Sequence, residues 1–170
     1  MHIQTEKSRL KKVTFVLLIL LSSVSNTYAA GESTGAVISP IRLNAGMISG
    51  IGLEAAPWDD ENRLAKWSFL FTGKELSVSV FESTPKKTGE LGHTRNRVRD
   101  YPYDQFVIVL SGKSVLTDSG GKAQTFTAGD YFVVPRGFSG TWEEFGVYRE
   151  LIVILEEAVR TRKLEIEPVD

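Results

Sequence analysis

The chain has 170 residues, no Cys, and a nearly balanced charge of 20 Lys and Arg against 21 Asp and Glu. Without Cys it cannot form disulfides or use thiol catalysis, so a folded domain must be held together by its core. The balanced charge, with no run of basic residues, argues against nucleic acid as a partner.

Residues 1–29 have the pattern of a cleaved secretory signal peptide. Four basic residues precede an apolar run at 13–21, and small polar residues then lead to Ala29. The run is well short of the ~20 residues that span a bilayer, which favours cleavage over a stable membrane anchor. The segment holds four basic residues and one acidic residue, so the remainder has 16 basic and 20 acidic residues. We therefore predict an acidic periplasmic or secreted protein.

Residues 30–74 are predicted to form a lead-in with edge strands. Residues 37–43 have strand-like composition interrupted by Pro40, which suits an edge strand. Residues 44–56 are Gly-rich and irregular, and the aromatic run at 67–71 predicts a second strand.

Residues 75–155 are predicted to form the core of a single β domain. Residues 77–81 alternate polar and apolar side chains, and residues 147–155 form a last apolar run. Between them, residues 103–142 contain four short apolar runs separated by turns rich in Gly, Asp and Ser, one of them at 111–113. Such spacing predicts an antiparallel sandwich or barrel, with residues 156–170 as a tail.

The stretch at 103–142 resembles the two sequence motifs of the cupin superfamily. Gly-Asp at 129–130 and Pro-Arg-Gly at 135–137 are similar to the second motif, and Gln105 with Gly112 to the end of the first. The finer pattern, from Tyr103 to Trp142, is similar to the branch that contains (S)-ureidoglycine aminohydrolase and the ethanolamine-utilisation cupin. The resemblance implies a single RmlC-like jelly-roll β-barrel.

The same resemblance implies where metal ligands would lie. Metal-dependent cupins place two His and one Glu on the first motif and a third His on the second. Those positions correspond here to Val98, Asp100, Gln105 and Gly140, which offer no nitrogen ligand. An amide oxygen is a poor ligand for Zn, Fe or Mn, so we expect neither a tightly bound metal nor another cofactor.

Polar and aromatic residues remain at the expected pocket. Tyr103 and Gln105 are two residues apart and would share a strand face, and Tyr101 would join them if Pro102 does not end the strand. Trp142 corresponds to a family Trp after the second motif. These side chains would suit a small polar ligand; alternatively, they close off a filled barrel core.

Every second residue from 93 to 99 is cationic or can become so. A strand would place these side chains on one face: His93, Arg95, Arg97 and Arg99. If that face lines the pocket, His93 and Arg99 would add contacts to an anionic ligand. The alternative is a solvated edge that discourages aggregation.

Three functions remain open from the sequence. The first is binding of a small polar or anionic molecule, and the second is a metal-dependent aminohydrolase-type enzyme. The third is a structural protein that forms a homodimer through a strand edge at 37–43 or 67–71. The sequence does not decide whether the protein is an enzyme.

Overall fold

The computed structural model describes residues 39–56, 63–86, 92–156 and 166–168. The predicted signal peptide at 1–29 lies outside these residues. The described part contains one short helix, α1 at Ala45–Ile48, and nine strands. The strands are β1 Glu54–Ala55, β2 Arg63–Thr72, β3 Leu76–Pro85, β4 His93–Val98, β5 Gln105–Asp118, β6 Ala123–Thr127, β7 Tyr131–Val134, β8 Gly140–Leu155 and β9 Ile166–Pro168.

The two long strands, β5 and β8, pair with each other and organise the sheet. The second half of β8 lies between β3 and the first half of β5, whereas its first half lies between β4 and the second half of β5. Strand β7 extends the first half of β5, and β6 extends the second half. All pairs are antiparallel, which confirms the predicted all-β class. Two half-sheets that share β5 and β8 are consistent with a single jelly roll.

Both shared strands bend at a glycine. Gly112 and Gly146 have φ values of +72° and +70°, a region that side chains disfavour. A Cβ atom on Gly112 would lie 2.8 Å from the Cα atom of Tyr148. Because pairing with β8 resumes on both sides of the bend, β5 is one continuous strand. The turn predicted at 111–113 is therefore wrong.

The core lies between the half-sheets in two apolar clusters. One contains Ala65, Phe81, Val109 and Tyr148, and the other contains Val98, Leu116, Val134 and Trp142 among their buried members. Phe126 and Phe132 pack against both clusters, and their rings stack on each other at a centroid separation of 3.9 Å. These two rings join the clusters into one interior.

An ion cluster ties the α1 segment to the outward face of the first half-sheet. Buried Glu82 accepts hydrogen bonds from Arg149 Nε at 2.9 Å and from Lys66 Nζ at 3.1 Å. Burial by itself raises the pKa of Glu82, but these hydrogen bonds outweigh it and the net pKa is lowered. The loop after α1 covers Arg149 so closely that a Cβ on Gly50 would lie 2.3 Å from its Nη2 atom.

The N-terminal and C-terminal segments differ from the sequence predictions. Residues 39–44 are not in a strand, although an edge strand was expected at 37–43, and α1 follows with Asn44 as its N-cap. At the other end, the expected tail contributes β9, which pairs with β4. Among the described residues, no helix is both long and apolar enough to cross a membrane.

Candidate functional site

Polar side chains line the interior face of the barrel. Residues that are paired directly across antiparallel strands share a face, so Ser83, Glu144 and Glu150 lie on the face that carries the core clusters. The buried polar residues of this face are Arg63, Ser77, Ser79, Ser83, Thr94, Asn96, Gln105, Ser114, Glu144 and Glu150. A small barrel packed only for stability would hold apolar side chains here, because burying polar groups costs free energy.

Glu150 is the most perturbed acidic group of the interior. Its side chain is buried, with only 3% of the residue exposed, and its Oε2 atom accepts a hydrogen bond of 2.5 Å from the Tyr148 hydroxyl. Burial raises the pKa of Glu150 to about 8, and the charge of Glu144 adds to this increase, while the Tyr148 hydrogen bond opposes it. Glu150 is therefore mainly protonated at neutral pH.

Glu144 is buried as well but has partners of a different kind. Its Oε2 atom accepts a hydrogen bond of 2.9 Å from the Thr94 hydroxyl and lies 3.9 Å from Nη1 of buried Arg63. The guanidinium offsets the charge of this carboxylate. The interior thus holds one carboxyl group beside a cation and one, on Glu150, beside a phenol.

Four of the six predicted site residues lie together next to these acids. The Tyr101 hydroxyl donates a hydrogen bond to Gln105 Oε1, and the Tyr101 ring lies 5.1 Å from that of Tyr103 and 6.4 Å from that of Trp142. Burial raises the pKa of both tyrosines, and the nearby charge of Glu150 contributes to both increases. The charge of Glu150 therefore acts on both tyrosine hydroxyls.

Some interior polar groups lack a hydrogen-bond partner within the described part of the chain. The indole Nε1 of Trp142 and the hydroxyl of Ser83 are both buried without a hydrogen-bond partner among the described residues. Such groups cost about 1–3 kcal/mol each when nothing satisfies them. A polar molecule or water held inside the barrel would supply the missing partners.

The other two predicted site residues, His93 and Arg99, lie outside the barrel. His93 is on the outward face of β4, where its ring stacks on Phe145 at 4.8 Å and Nε2 lies 3.4 Å from Glu143 Oε2. Arg99 lines a surface groove of about 320 Å³ together with Arg95 and Arg97. The alternating basic row is thus solvated, because Thr94, Asn96 and Val98 take the inward positions.

The positions of the implied metal ligands do not fit a transition metal. Val98 and Gln105 point inward but supply no imidazole nitrogen for a metal, and Gly140 packs against the Thr117 carbonyl oxygen. Asp100 is exposed, and its backbone N–H donates to Ser139 Oγ. Across the described ranges, no group of three or more His, Cys, Asp or Glu is placed to hold a metal ion.

Sequence reasoning missed the acidic part of the site. The last strand was predicted only from residue 147, and the Glu residues of 140–155 were not assigned to a face. The signal was that even numbers of residues, four and two, separate Glu144, Tyr148 and Glu150 within one strand. It is visible only once residues 140–155 are known to be a continuous strand.

Comparison with known proteins shows which family one segment of the chain resembles. Residues 82–146 match the family model of the EutQ-like cupin domain. A search of curated proteins finds no significant match. Residues 82–146 cover strands β4 to β7, part of β3 and the first half of β8.

Three solved structures illustrate the similarity. The EutQ protein of Clostridium difficile is 15% identical, with 68% of this chain and 80% of that chain covered and a TM-score of 0.46. The polyketide cyclase RemF of Streptomyces resistomycificus is 16% identical, with 70% and 81% covered and a TM-score of 0.47. An RmlC-like cupin of Shewanella frigidimarina is 18% identical, with 62% and 85% covered and a TM-score of 0.45. By its match to the family model, the segment at 82–146 is similar to a cupin domain of the EutQ-like type.

Proposed function

We propose that this protein is an exported cupin that binds a small polar molecule inside a single jelly-roll barrel, without a metal. Its signal peptide at 1–29 would deliver it to the periplasm or the exterior. The observation that carries the proposal is the buried polar interior, in which Trp142 and Ser83 present groups that find no hydrogen-bond partner among the residues the structure describes. Ligand pockets typically combine an apolar wall with a few such converging polar groups.

The aromatic cluster would supply the contacts at one end of the ligand. The Trp142 N–H would donate to an acceptor atom of the ligand, and Tyr101 and Tyr103 would pack against its body. Gln105 already accepts from Tyr101, so its amide N–H₂ group remains as a donor. These roles assign binding, rather than catalysis, to the four residues.

Ligand binding is tested by thermal unfolding and calorimetry with panels of sugars, amino acids, ureides, amines and carboxylates. One class should stabilise the protein, by about 2.7 kcal/mol at a concentration 100 times Kd. Trp142→Phe should weaken binding about fivefold, the value of one hydrogen bond of about 1 kcal/mol. His93→Ala, on the outward face, is the matched control and should bind normally. If no class of compound stabilises the protein, the proposal is wrong.

Export is tested separately by the N-terminal sequence of the protein recovered from the bacterial envelope or medium. Cleavage after Ala29 would leave Ala30 as the first residue. Recovery of the uncut chain in the cytoplasm would contradict this part of the proposal.

A second candidate function is favoured by an exposed apolar surface. On the outward face of β5 and β7, Tyr131 is 74% exposed and Val133 is 57% exposed, next to the partly exposed Phe106. Exposed apolar patches of this kind mark protein–protein contacts, so this face would suit a homodimer. Sedimentation of the wild type and of Tyr131→Lys tests it: a dimer that becomes a monomer supports the contact, whereas a monomeric wild type excludes it.

A further inference from the structure

The carboxyl groups of Glu144 and Glu150, both on β8, face the interior and differ in their charged partners. The guanidinium of Arg63 lies 3.9 Å from Glu144. Across the described residues, no Lys, Arg or His nitrogen lies within 4 Å of the Glu150 carboxyl. Glu150 can therefore ionise at neutral pH only at a large desolvation cost, or beside a cation that enters the barrel.

Among the described residues, the groups around Glu150 come from several elements, and none that acts on its carboxyl is cationic. Strand β8 itself presents Tyr148 and Glu144, and the segment before β5 presents Tyr101 and Tyr103. The residues directly opposite on the neighbouring strands are Phe81 of β3 and Val109 of β5, which do not titrate. The guanidinium of Arg63, on β2, lies beside the carboxylate of Glu144 at 3.9 Å.

Aromatic rings form a wall beside Glu150. Phe81 is directly opposite Glu150 on β3, and the Tyr148 hydroxyl donates to the Glu150 carboxyl. Phe126 and Phe132 pack against the cluster that contains Phe81 and Tyr148. Ring faces attract cations, most strongly when water is excluded. A carboxyl group beside an aromatic wall is the arrangement that recognises alkylated ammonium ions.

We propose that the molecule bound inside the barrel is an organic cation of the alkylated ammonium class, whose charge is held by the carboxylate of Glu150 and by the aromatic wall. This inference rests on the proposed function and specifies its ligand. It replaces the anionic ligand that the basic row suggested, because that row faces outward and away from the site.

Binding of such a cation would be coupled to release of a proton. The Glu150 carboxyl holds its proton in the free protein, with a pKa of about 8, and would lose it to solvent when the cation binds. For a quaternary ammonium ion, whose own charge does not change with pH, we expect release of about 0.9 proton at pH 7 and about 0.1 at pH 9. The affinity should rise about tenfold between these pH values.

Calorimetry with three probes of nearly equal shape tests the inference. The probes are the (2-hydroxyethyl)trimethylammonium ion, its uncharged carbon isostere 3,3-dimethylbutan-1-ol, and the anion 3,3-dimethylbutanoate. The ammonium ion should bind tightest, and titrations in buffers of different ionisation enthalpy should show the proton release. Glu150→Gln should weaken binding of the ammonium ion about 30-fold or more and abolish the proton release. Glu143→Gln, a change on the outward face of the same strand, should leave both unchanged.

Each of the other results overturns the inference. Equal binding of the alcohol, tighter binding of the anion, or binding of the ammonium ion by the wild type without proton release would each do so. The last measurement needs no variant, so it stands even if Glu150→Gln fails to fold. If none of the three probes binds, the cation inference fails, while the wider ligand panel still decides whether the barrel binds a small molecule at all.

Discussion

Replacing Glu150 by Gln should change how the stability of the protein depends on pH. Gln keeps the shape of the side chain and removes its titration. In the folded protein the pKa of Glu150 is about 8, compared with an ordinary value of 4.5. Between these two pH values the folded state keeps a proton that the unfolded chain has released.

The sign and size follow from this difference in bound protons. Since the folded state binds one proton more, the free energy of unfolding falls as pH rises, by about 1.4 kcal/mol per pH unit within the window. Over the whole window Glu150 would cost about 5 kcal/mol, and above pH 8 no further loss is expected. Glu82 does not interfere, because its lowered pKa places its titration below this window.

Urea unfolding of the wild type and of Glu150→Gln at intervals between pH 5 and 9 measures the effect. The free energy of unfolding of the wild type should fall as pH rises, relative to that of the variant. The difference between the two proteins should therefore change steadily from pH 5 to pH 8. Glu143→Gln, on the outward face, should run parallel to the wild type. Parallel curves for wild type and Glu150→Gln would refute the reasoning, since they would mean that the carboxyl is ionised in the folded state throughout.

Three further outcomes are expected. Gly112→Ala should destabilise the protein by about 3 kcal/mol in urea unfolding, because the new Cβ meets backbone atoms at a left-handed position. Gly121 also has a positive φ, +84°, but open space around it, so Gly121→Ala should cost about 1 kcal/mol. A loss for Gly121→Ala as large as that for Gly112→Ala would contradict the role of the close contact. Arg149→Ala should lower the free energy of unfolding by about 3 kcal/mol, because it leaves buried Glu82 without its main partner. Lys66→Ala should lower it by under about 1 kcal/mol, because the Lys66 side chain is 44% exposed. Equal losses would show that the two cations stabilise Glu82 equally. Dialysis against a chelator should leave the melting temperature unchanged, and elemental mass spectrometry should find less than stoichiometric Mn, Zn, Fe or Ni; one equivalent of any of them would favour the metal-dependent enzyme.

The all-β antiparallel fold could be predicted because its signals are local. Alternation at 77–81 and the Gly-rich and Asp-rich turns around 118–121 and 128–130 each specify a short piece of chain. The continuity of β5 through Gly112 could not be predicted in this way. A glycine between two apolar runs looks like a turn, and what keeps it in the sheet is pairing with β8, more than 30 residues away in the chain.

The site was predictable only where its residues are close in sequence. Tyr101, Tyr103 and Gln105 lie within five residues, so their proximity follows from strand geometry. Glu144 and Glu150 were not assigned to the interior, because charged residues in a strand are expected to face water. The sequence also did not determine which side chains of β4 face inward. Basic residues alternate with other residues along this strand, so either set could face the core, and in the structure the basic side chains face outward.

The order of the strands along the chain has a consequence for folding during synthesis. Strands β3, β4 and β5 all pair with β8, which begins at Gly140, after all of them. As the chain leaves the ribosome, β2 can pair with β3, and β5 can pair with β6 and β7, before β8 has been made. These pieces are joined only through β8, so until it emerges their apolar faces stay open to chaperones and to aggregation. Emergence of β8 would then close both half-sheets in a single cooperative step.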